Sequence, residues 1–277
     1  MVFRPAFGLA AVLAGAVTAL ATASPVMPLA SHRAAYDISL IDPTASPRAS
    51  AQSPIAASGL IAYEFRGSAC EGYTSNFRQM TQVERSEGDP LSTLVNAMSY
   101  EDADGKSMRF QIDSRGLQET GPVAGTATHV EDDNLRVVLT KPEAKSIDFG
   151  REVLFPTQHI ERLIEAAKHG GGAVQSRVYD GSDTGAKIFV TMSVIGKEAT
   201  KPSEDAETAT ELSGVRRWPV VISYFDEAAT DSAPDYTLSF DLYENGVSGS
   251  LKLDYGLFAL NAHLRKLEFL PASTCRK

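Results

Sequence analysis

The sequence predicts an all-β fold built on one long antiparallel sheet with a single helix. Three observations support this prediction. About a dozen segments alternate apolar and polar residues with a period of two, which is typical of strands that bury one face. Short, turn-rich stretches separate most of these segments, which favours antiparallel neighbours. Only residues 155–172 show the helical period of 3.6 residues.

The first 23 residues have the features of a secretory signal peptide. The cation Arg4 precedes an apolar run over residues 6–23, and residues 21–23 form a cleavage pattern of the A-x-A type. An uncleaved N-terminal anchor is the alternative, because the run approaches the length that spans a bilayer. The cleavage pattern favours export. We therefore expect residues 24–277 to form a single β-rich periplasmic domain without a transmembrane segment.

The predicted strands follow one another from residue 36 to residue 270. Their sequences are YDISL, GLIAYEF, YTSNFRQMTQVER, TLVNAMSY, SMRFQI, LRVVLT, DFGREVLF, AVQSRVYD, KIFVTMSVIG, RRWPVVISYF, YTLSFDLYENGVSGSLKLDY and LRKLEFL. Within the longest of them, Asn245-Gly246 predicts a tight hairpin. The sequences EDADGK and GSDTGA predict turns between neighbouring strands.

The predicted helix has the sequence FPTQHIERLIEAAKHGGG. Its apolar stripe follows the spacing i, i+3, i+4, i+7 and consists of Ile160, Leu163, Ile164 and Ala167. Pro156 suits the first turn, and the three glycines at 170–172 predict where the helix ends. A single amphipathic helix beside a long sheet usually covers the concave face of the sheet or plugs its mouth.

Two segments are predicted to be loops. Residues 42–54 are rich in Ser, Pro and Ala, and residues 196–214 are polar and acidic, so we expect the second loop to be mobile. No internal repeat or domain linker interrupts the pattern.

The charge of the chain argues against two classes of partner. The formal net charge is −9, and it becomes −10 once the only charged residue of the signal peptide, Arg4, is removed. Nucleic acids and anionic membranes require clustered Lys and Arg. Neither is an expected partner.

The chain contains two cysteines, Cys70 and Cys275. In an exported protein two cysteines usually form one disulfide, and two unrelated buried thiols are the alternative. A bond between them would close a loop of roughly 200 residues, which the chain-entropy model values at about 5 kcal/mol. Neither cysteine has a nearby His or belongs to a C-x-x-C pair, which favours a structural role.

Several motifs suggest chemistry, but each has a simpler interpretation. Asp183-Thr184-Gly185 matches the triplet of aspartic proteases, yet that chemistry needs two copies and only one is present, in a turn-rich context. Residues 102–105 hint at calcium, but the position that closes an EF-hand loop holds Asp113 instead of Glu. We interpret both motifs as turns.

The remaining candidates are weaker still. The five histidines are scattered without metal-ligand spacing, and no phosphate loop, dinucleotide fingerprint or nucleophile elbow is present in the sequence. Trp218 either packs in the core or lines a pocket, and the core is favoured. The sequence therefore predicts a protein that is not an enzyme and has neither metal nor cofactor.

Six features together resemble one family. These are ASHRAAYDISL, FRGSACEGYTSNFR, LFPTQHIERLIEAAKHG, VYDGSDTGAKIF, WPVVISYF and a cysteine just before the C-terminus. They resemble the EipB cell-envelope-integrity family of alphaproteobacteria, formerly a domain of unknown function. The likeness spans roughly residues 30–276, and its motifs are specific only in combination. The segment 196–214 matches none of them.

The resemblance implies a periplasmic protein whose sheet is wound into an open barrel or spiral with the helix inside. It also implies a disulfide between Cys70 and Cys275, which we expect to hold the last strand onto the early ones and to close a sheet whose edges would otherwise be free. The family is linked to envelope homeostasis and envelope stress and offers no catalytic residues. Its shape is similar to that of periplasmic lipoprotein carriers, which is an analogy of fold alone.

Two functions are consistent with these observations. The first is a non-enzymatic scaffold or interaction protein that maintains the cell envelope through periplasmic protein partners. The second is a carrier or chaperone for a lipid or lipoprotein acyl chain in the concave face of the sheet. In the carrier, Ile160, Leu163, Ile164 and Trp218 would line the cavity or form its lid. A hydrolase assembled from distant residues is a third, weaker alternative.

Overall fold

The computed structural model describes residues 28–41, 53–87, 89–116, 121–205, 207–230, 233–272 and 275. The predicted signal peptide and most of the 42–54 loop lie outside these residues. In chain order the elements are β1 (His32–Leu40), β2 (Ala56–Ser68), β3 (Gly72–Glu84), β4 (Leu91–Glu101), β5 (Ser107–Arg115), β6 (Gly121–His129), β7 (Leu135–Lys141), β8 (Lys145–Phe149), β9 (Val153–Leu154), α1 (Pro156–Lys168), β10 (Gly172–Val178), β11 (Phe189–Ile195), β12 (Arg217–Asp226), β13 (Tyr236–Tyr243), β14 (Ser248–Asp254) and β15 (Ala259–Phe269).

All of these strands belong to one sheet. Their order is β8-β7-β6-β5-β4-β3-β2-β1-β15-β14-β13-β12-β11-β10-β9. Neighbours are antiparallel except β9 and β10, which are parallel. The first and last strands, β1 and β15, pair in the middle, and the edges are β8 on one side and β9 with β10 on the other. The prediction of a long antiparallel sheet in an open barrel is confirmed.

The chain crosses between the two edges of the sheet in three residues. β8 ends at Phe149 on one edge, and β9 begins at Val153 on the other. The prediction that residues 148–155 form one strand is therefore wrong. The extended path is broken at Glu152, whose φ of 60° is left-handed. This crossing holds one end of the open barrel together.

Strand β6 was not predicted. Its sequence, GPVAGTATH, consists mainly of small residues, so the alternation of apolar and polar side chains is weak. The strand nevertheless pairs with β5 and β7 and buries Val123 and Ala127. Pairing on both sides outweighs the low strand propensity of its glycines.

The predicted turns at 102–105 and 245–246 are confirmed. The Asp102 carboxylate accepts hydrogen bonds from the backbone N–H groups of Lys106 (2.8 Å) and Ser107 (2.9 Å), which shapes the β4–β5 hairpin. In the β13–β14 hairpin, the N–H of Gly246 donates to the carbonyl of Tyr243 (2.9 Å), with a φ of 84° at the glycine.

The predicted helix is confirmed as α1, which starts with Pro156 and ends before the glycines. The Gln158 side chain accepts a hydrogen bond from the backbone N–H of Phe155 and so caps the first turn (3.0 Å). Leu163, Ile164 and Ala167 lie in a buried cluster on the concave face of the sheet. The cluster also contains Phe65 and Tyr73 of the early strands and Trp218, Val220, Ile222, Phe240 and Leu242 of the late strands. The helix therefore joins the two halves of the sheet.

The loop between β10 and β11 packs against the opposite half of the barrel. Tyr179 lies edge-on against Phe110 of β5, at 5.6 Å between ring centroids, and its hydroxyl donates to the carbonyl of Gly185 (2.8 Å). The Asp183-Thr184-Gly185 triplet is a turn, as predicted, because the N–H of Gly185 donates to the carbonyl of Ser182 (3.0 Å). This loop fastens β10 to the face formed by β5, β6 and β7.

The acidic segment 196–214 is partly buried, although its polar, acidic composition predicts a mobile loop. Asp205 is 3% exposed and lies where β14 and β15 diverge. One carboxylate oxygen accepts the N–H of Ser250 (2.6 Å), and the other accepts the N–H of Leu264 (3.1 Å). Ala209 and Leu212 pack into the same gap. The segment seals a split in the sheet.

Candidate functional site

The structure brings the four predicted lid or cavity residues together. Leu163, Ile164 and Trp218 are 0%, 5% and 1% exposed and lie in one cluster, and Ile160 is half-buried and packs against it. These side chains contact one another and the sheet, as in an ordinary hydrophobic core. Trp218 therefore packs in the core, which is the interpretation that the sequence favoured.

A small cavity lies beside the N-terminal end of α1. Its volume is about 80 Å³, and its walls are apolar at Leu29, Phe65 and Ile160 and polar at His32 and Glu101. Pockets for small ligands usually measure about 300–1,000 Å³. In this conformation the cavity accommodates a few water molecules but not an acyl chain.

Glu101 is the carboxylic acid of this cavity. It ends β4, is 5% exposed, and accepts hydrogen bonds from the backbone N–H of Thr157 (3.1 Å) and from the Thr157 hydroxyl (2.9 Å). Burial raises the pKa of Glu101 to about 7, and the hydrogen bonds from Thr157 oppose part of this rise. The carboxyl group caps the first turn of α1, where a negative charge is also favoured by the helix dipole.

His32 and Tyr63 form an uncharged wall of the same cavity. The His32 ring is 2% exposed, and its Nδ1 lies 2.7 Å from the carbonyl oxygen of Ala30. Because a carbonyl only accepts, Nδ1 carries the proton. Burial lowers the pKa of His32, so the ring is neutral, and it lies 5.7 Å from the Tyr63 ring. Burial also raises the pKa of the Tyr63 hydroxyl.

A second cluster of buried polar side chains lies between α1 and the sheet. The His159 ring is 3% exposed, and its Nε2 lies 3.3 Å from the Thr191 hydroxyl. Burial, together with the charge of Arg162, lowers the pKa of His159 to about 4. The hydroxyls of Ser176 and Ser193 are buried there without a hydrogen-bond partner among the described residues. The only sequence signal for these buried polar side chains is the alternation of Thr191 and Ser193 with apolar residues within KIFVTMSVIG.

Cys70 and Cys275 form the disulfide that the family resemblance implied, with their Cα atoms 5.8 Å apart. Cys70 lies in the β2–β3 turn, and Cys275 follows β15. Because β1 separates β2 from β15 in the sheet, the bond spans β1 and holds the tail against the early strands. The expectation that it closes the free edges is wrong, since these strands lie in the middle of the sheet.

The described part of the chain contains neither a metal-binding cluster nor a helix that could span a membrane. Its His, Cys, Asp and Glu side chains form no group of three or more that could hold a metal ion. No helix within the described ranges is long and apolar enough to cross a bilayer.

Comparison with known proteins agrees with the fold. Residues 23–271 match the model of a family described as EipB-like. The cell envelope integrity protein EipB of Brucella abortus is 37% identical over 254 residues, which are 90% of this chain and 87% of the relative. A crystal structure described as a β-barrel-like protein of a domain of unknown function, also from Brucella abortus, is 34% identical. It superposes with a TM-score of 0.80 over 88% of this chain and 100% of that chain.

Proposed function

Because the chain belongs to the EipB-like family, we propose that it maintains the integrity of the cell envelope as a non-enzymatic interaction protein of the periplasm. Its relative in Brucella abortus is named for envelope integrity. The signal-peptide pattern of residues 1–23 supports export, and the disulfide fits an oxidising compartment.

The observation that carries the proposal is that four buried polar side chains of the barrel bind backbone groups and hold them in place. Glu101 caps α1, Asp205 joins β14 to β15, and the hydroxyl of Tyr179 binds the loop that follows β10. Likewise, the hydroxyl of Tyr36 donates to the carbonyl of Ser248 (2.8 Å). Groups committed to such contacts are poorly placed for acid–base or nucleophilic catalysis, which requires a free group facing substrate.

The packing of the interior favours an interaction protein over a carrier. The helix residues that a carrier would use as a lid are packed against the sheet, and the adjoining cavity measures only about 80 Å³. An acyl chain would need α1 to leave the sheet and expose Leu163 and Ile164 to water, which costs about 1.5–3 kcal/mol for each side chain.

Depletion of the protein in the bacterium that encodes it tests the proposal. We expect depleted cells to become sensitive to detergents and to inhibitors of cell-wall synthesis. The full chain should restore resistance, whereas residues 24–277 kept in the cytoplasm should not. Unchanged sensitivity on depletion, or rescue by the cytoplasmic form, would contradict the periplasmic role.

Lipid extraction and mass spectrometry of oxidised protein from the periplasm separate the two functions. An interaction protein is expected to yield no stoichiometric lipid. A lipid recovered at close to one molecule per chain would replace the proposal with the carrier.

A further inference from the structure

Strand β10 leaves a stretch of sheet edge open. One side pairs with β11 along the whole strand, whereas the other side pairs with β9 only at Arg177 and Val178. Among the described residues no strand pairs with that side over Gly172–Ser176. These five residues are about 17 Å of extended backbone.

The direction of the free backbone groups follows from the alternation of the strand. The N–H of Tyr179 donates to the carbonyl of Leu154 on the β9 side (3.0 Å). Backbone groups point to the same side at every second residue. The N–H and C=O groups of Ala173 and Gln175 therefore point away from β11, and both residues are exposed. Together they offer two donors and two acceptors to an incoming strand.

This edge lacks the features that usually protect an open edge. Proteins block such edges with charged residues, proline or bulges. The opposite edge strand, β8, carries Lys145 and Asp148, and Asp148 pairs with Arg136 of β7 (2.7 Å). The open part of β10 has the sequence GAVQS, without a charge or a proline. An unprotected edge is available for strand addition.

The open edge forms one wall of a groove whose other wall is the last two turns of α1. The groove has a volume of about 450 Å³ and is lined by Ala173, Val174 and Gln175 of β10. The helix contributes Arg162, Glu165 and Ala166, and His169 directly follows its last residue. An added strand would thus bond to β10 through its backbone and contact α1 through its side chains.

The charges of the helix wall indicate which side chain fits. The carboxylate of Glu165 lies 3.4 Å from the His169 ring. Arg162 is exposed and makes no ion pair with any described residue. A carboxylate on the added strand would pair with this guanidinium.

We propose that an extended acidic segment of a partner protein adds as a strand to the Gly172–Ser176 edge of β10, with a carboxylate on Arg162. This inference rests on the proposed role as an interaction protein and specifies its docking surface. A second copy of the chain is the competing occupant, which the test distinguishes.

The probe is a fluorescein-labelled heptapeptide of alternating threonine and valine with a central glutamate, titrated with the oxidised protein by fluorescence anisotropy. Gln175→Pro removes the exposed N–H without touching the ladder to β11, and Gln175→Thr is the matched control that keeps it. We expect Gln175→Pro to weaken binding at least about tenfold, because the N–H is lost and the ring obstructs the edge. Gln175→Thr should bind like the parent.

The charge of the peptide is tested separately. Arg162→Gln should weaken binding of the glutamate peptide by roughly fivefold, which is the upper range for an exposed ion pair. It should not weaken a peptide with lysine at the centre. Equal affinity of both peptides for the parent protein would overturn the acidic specificity.

Hydrogen exchange of the unmodified protein tests the site even if Gln175→Pro fails to fold. Slower exchange at Ala173 and Gln175 with saturating peptide is expected, and unchanged exchange would overturn the proposal. The absence of peptide binding at millimolar concentration would also overturn the proposal. A concentration-dependent dimer in sedimentation that Gln175→Pro abolishes would overturn it too, because a second copy of the chain would then occupy the edge. None of these results bears on the depletion phenotype, so failure of the docking surface is distinguishable from failure of the proposed function.

Discussion

Glu101→Gln is expected to change how the stability of the protein depends on pH. Glu101 is buried at the end of β4 and has a pKa of about 7, whereas its ordinary value is 4.5. The folded protein therefore holds this proton more tightly than the unfolded chain does. The contribution of Glu101 to stability is complete below pH 4.5 and is lost as the pH rises to 7.

The size of the effect follows from the difference between the two pKa values. At 1.36 kcal/mol per pH unit, the rise from 4.5 to about 7 corresponds to roughly 3 kcal/mol of lost stability at pH 8. Gln at this position mimics the protonated acid, and its carbonyl oxygen still accepts from the N–H and the hydroxyl of Thr157. The variant should therefore not lose stability at this position as the pH rises.

The assay is urea unfolding of the oxidised protein and of Glu101→Gln between pH 4 and pH 8. The stability difference between them should shift by roughly 3 kcal/mol in favour of the variant as the pH rises, whatever its value at pH 4. Glu165→Gln, at an exposed position of α1, should shift by less than about 0.5 kcal/mol. If the difference in unfolding free energy between Glu101→Gln and the parent protein stays constant with pH, the conclusion that folding raises the pKa of Glu101 is refuted.

Three further substitutions test the packing of the barrel. Cys70→Ser removes a cross-link between residues 205 positions apart, so the melting temperature measured without reductant should fall. The chain-entropy model sets the upper limit of the lost free energy of unfolding at about 5 kcal/mol. An unchanged melting temperature would contradict the structural role of the disulfide. Asp205→Ala should lower the free energy of unfolding in urea by roughly 2–4 kcal/mol, because the N–H groups of Ser250 and Leu264 lose their acceptor. The control Glu207→Ala, at an exposed position of the same segment, should lower it by less than about 0.5 kcal/mol. Equal losses for the two variants would mean that the segment does not seal the sheet. Leu163→Ala should cost about 2–5 kcal/mol as a core truncation, and a cost under about 1 kcal/mol would indicate open space beneath the helix.

Local patterns predicted the elements of the fold well. The apolar stripe of α1 was predicted because Leu163, Ile164 and Ala167 recur at helical spacing, and the structure buries all three. The β13–β14 hairpin was predicted because Asn245-Gly246 fits a tight turn. Both signals lie within a few residues, so one sequence suffices to detect them.

Contacts between distant residues could not be predicted in the same way. Glu101 and Thr157 are 56 positions apart, and Asp205 and Leu264 are 59. Nothing in the local pattern of either carboxylate distinguishes it from a solvated one. The surroundings of His159 also carry no local signal: its ring is buried, and its Nε2 lies 3.3 Å from the hydroxyl of Thr191, which is 32 positions away on β11.

The breaks in the pattern prove more informative about the barrel than the pattern itself. The alternation over residues 148–155 continues through Gly150, so it predicts one strand, whereas the chain there passes from one edge of the sheet to the other. That crossing, together with Tyr179 packed on Phe110, holds the two edges near each other. The disulfide lies in the middle of the sheet, so we expect it to stabilise the fold without bringing the two edges together. Closure at the crossing leaves Gly172–Ser176 uncovered beside α1, so the same topology that curls the sheet also produces its open edge.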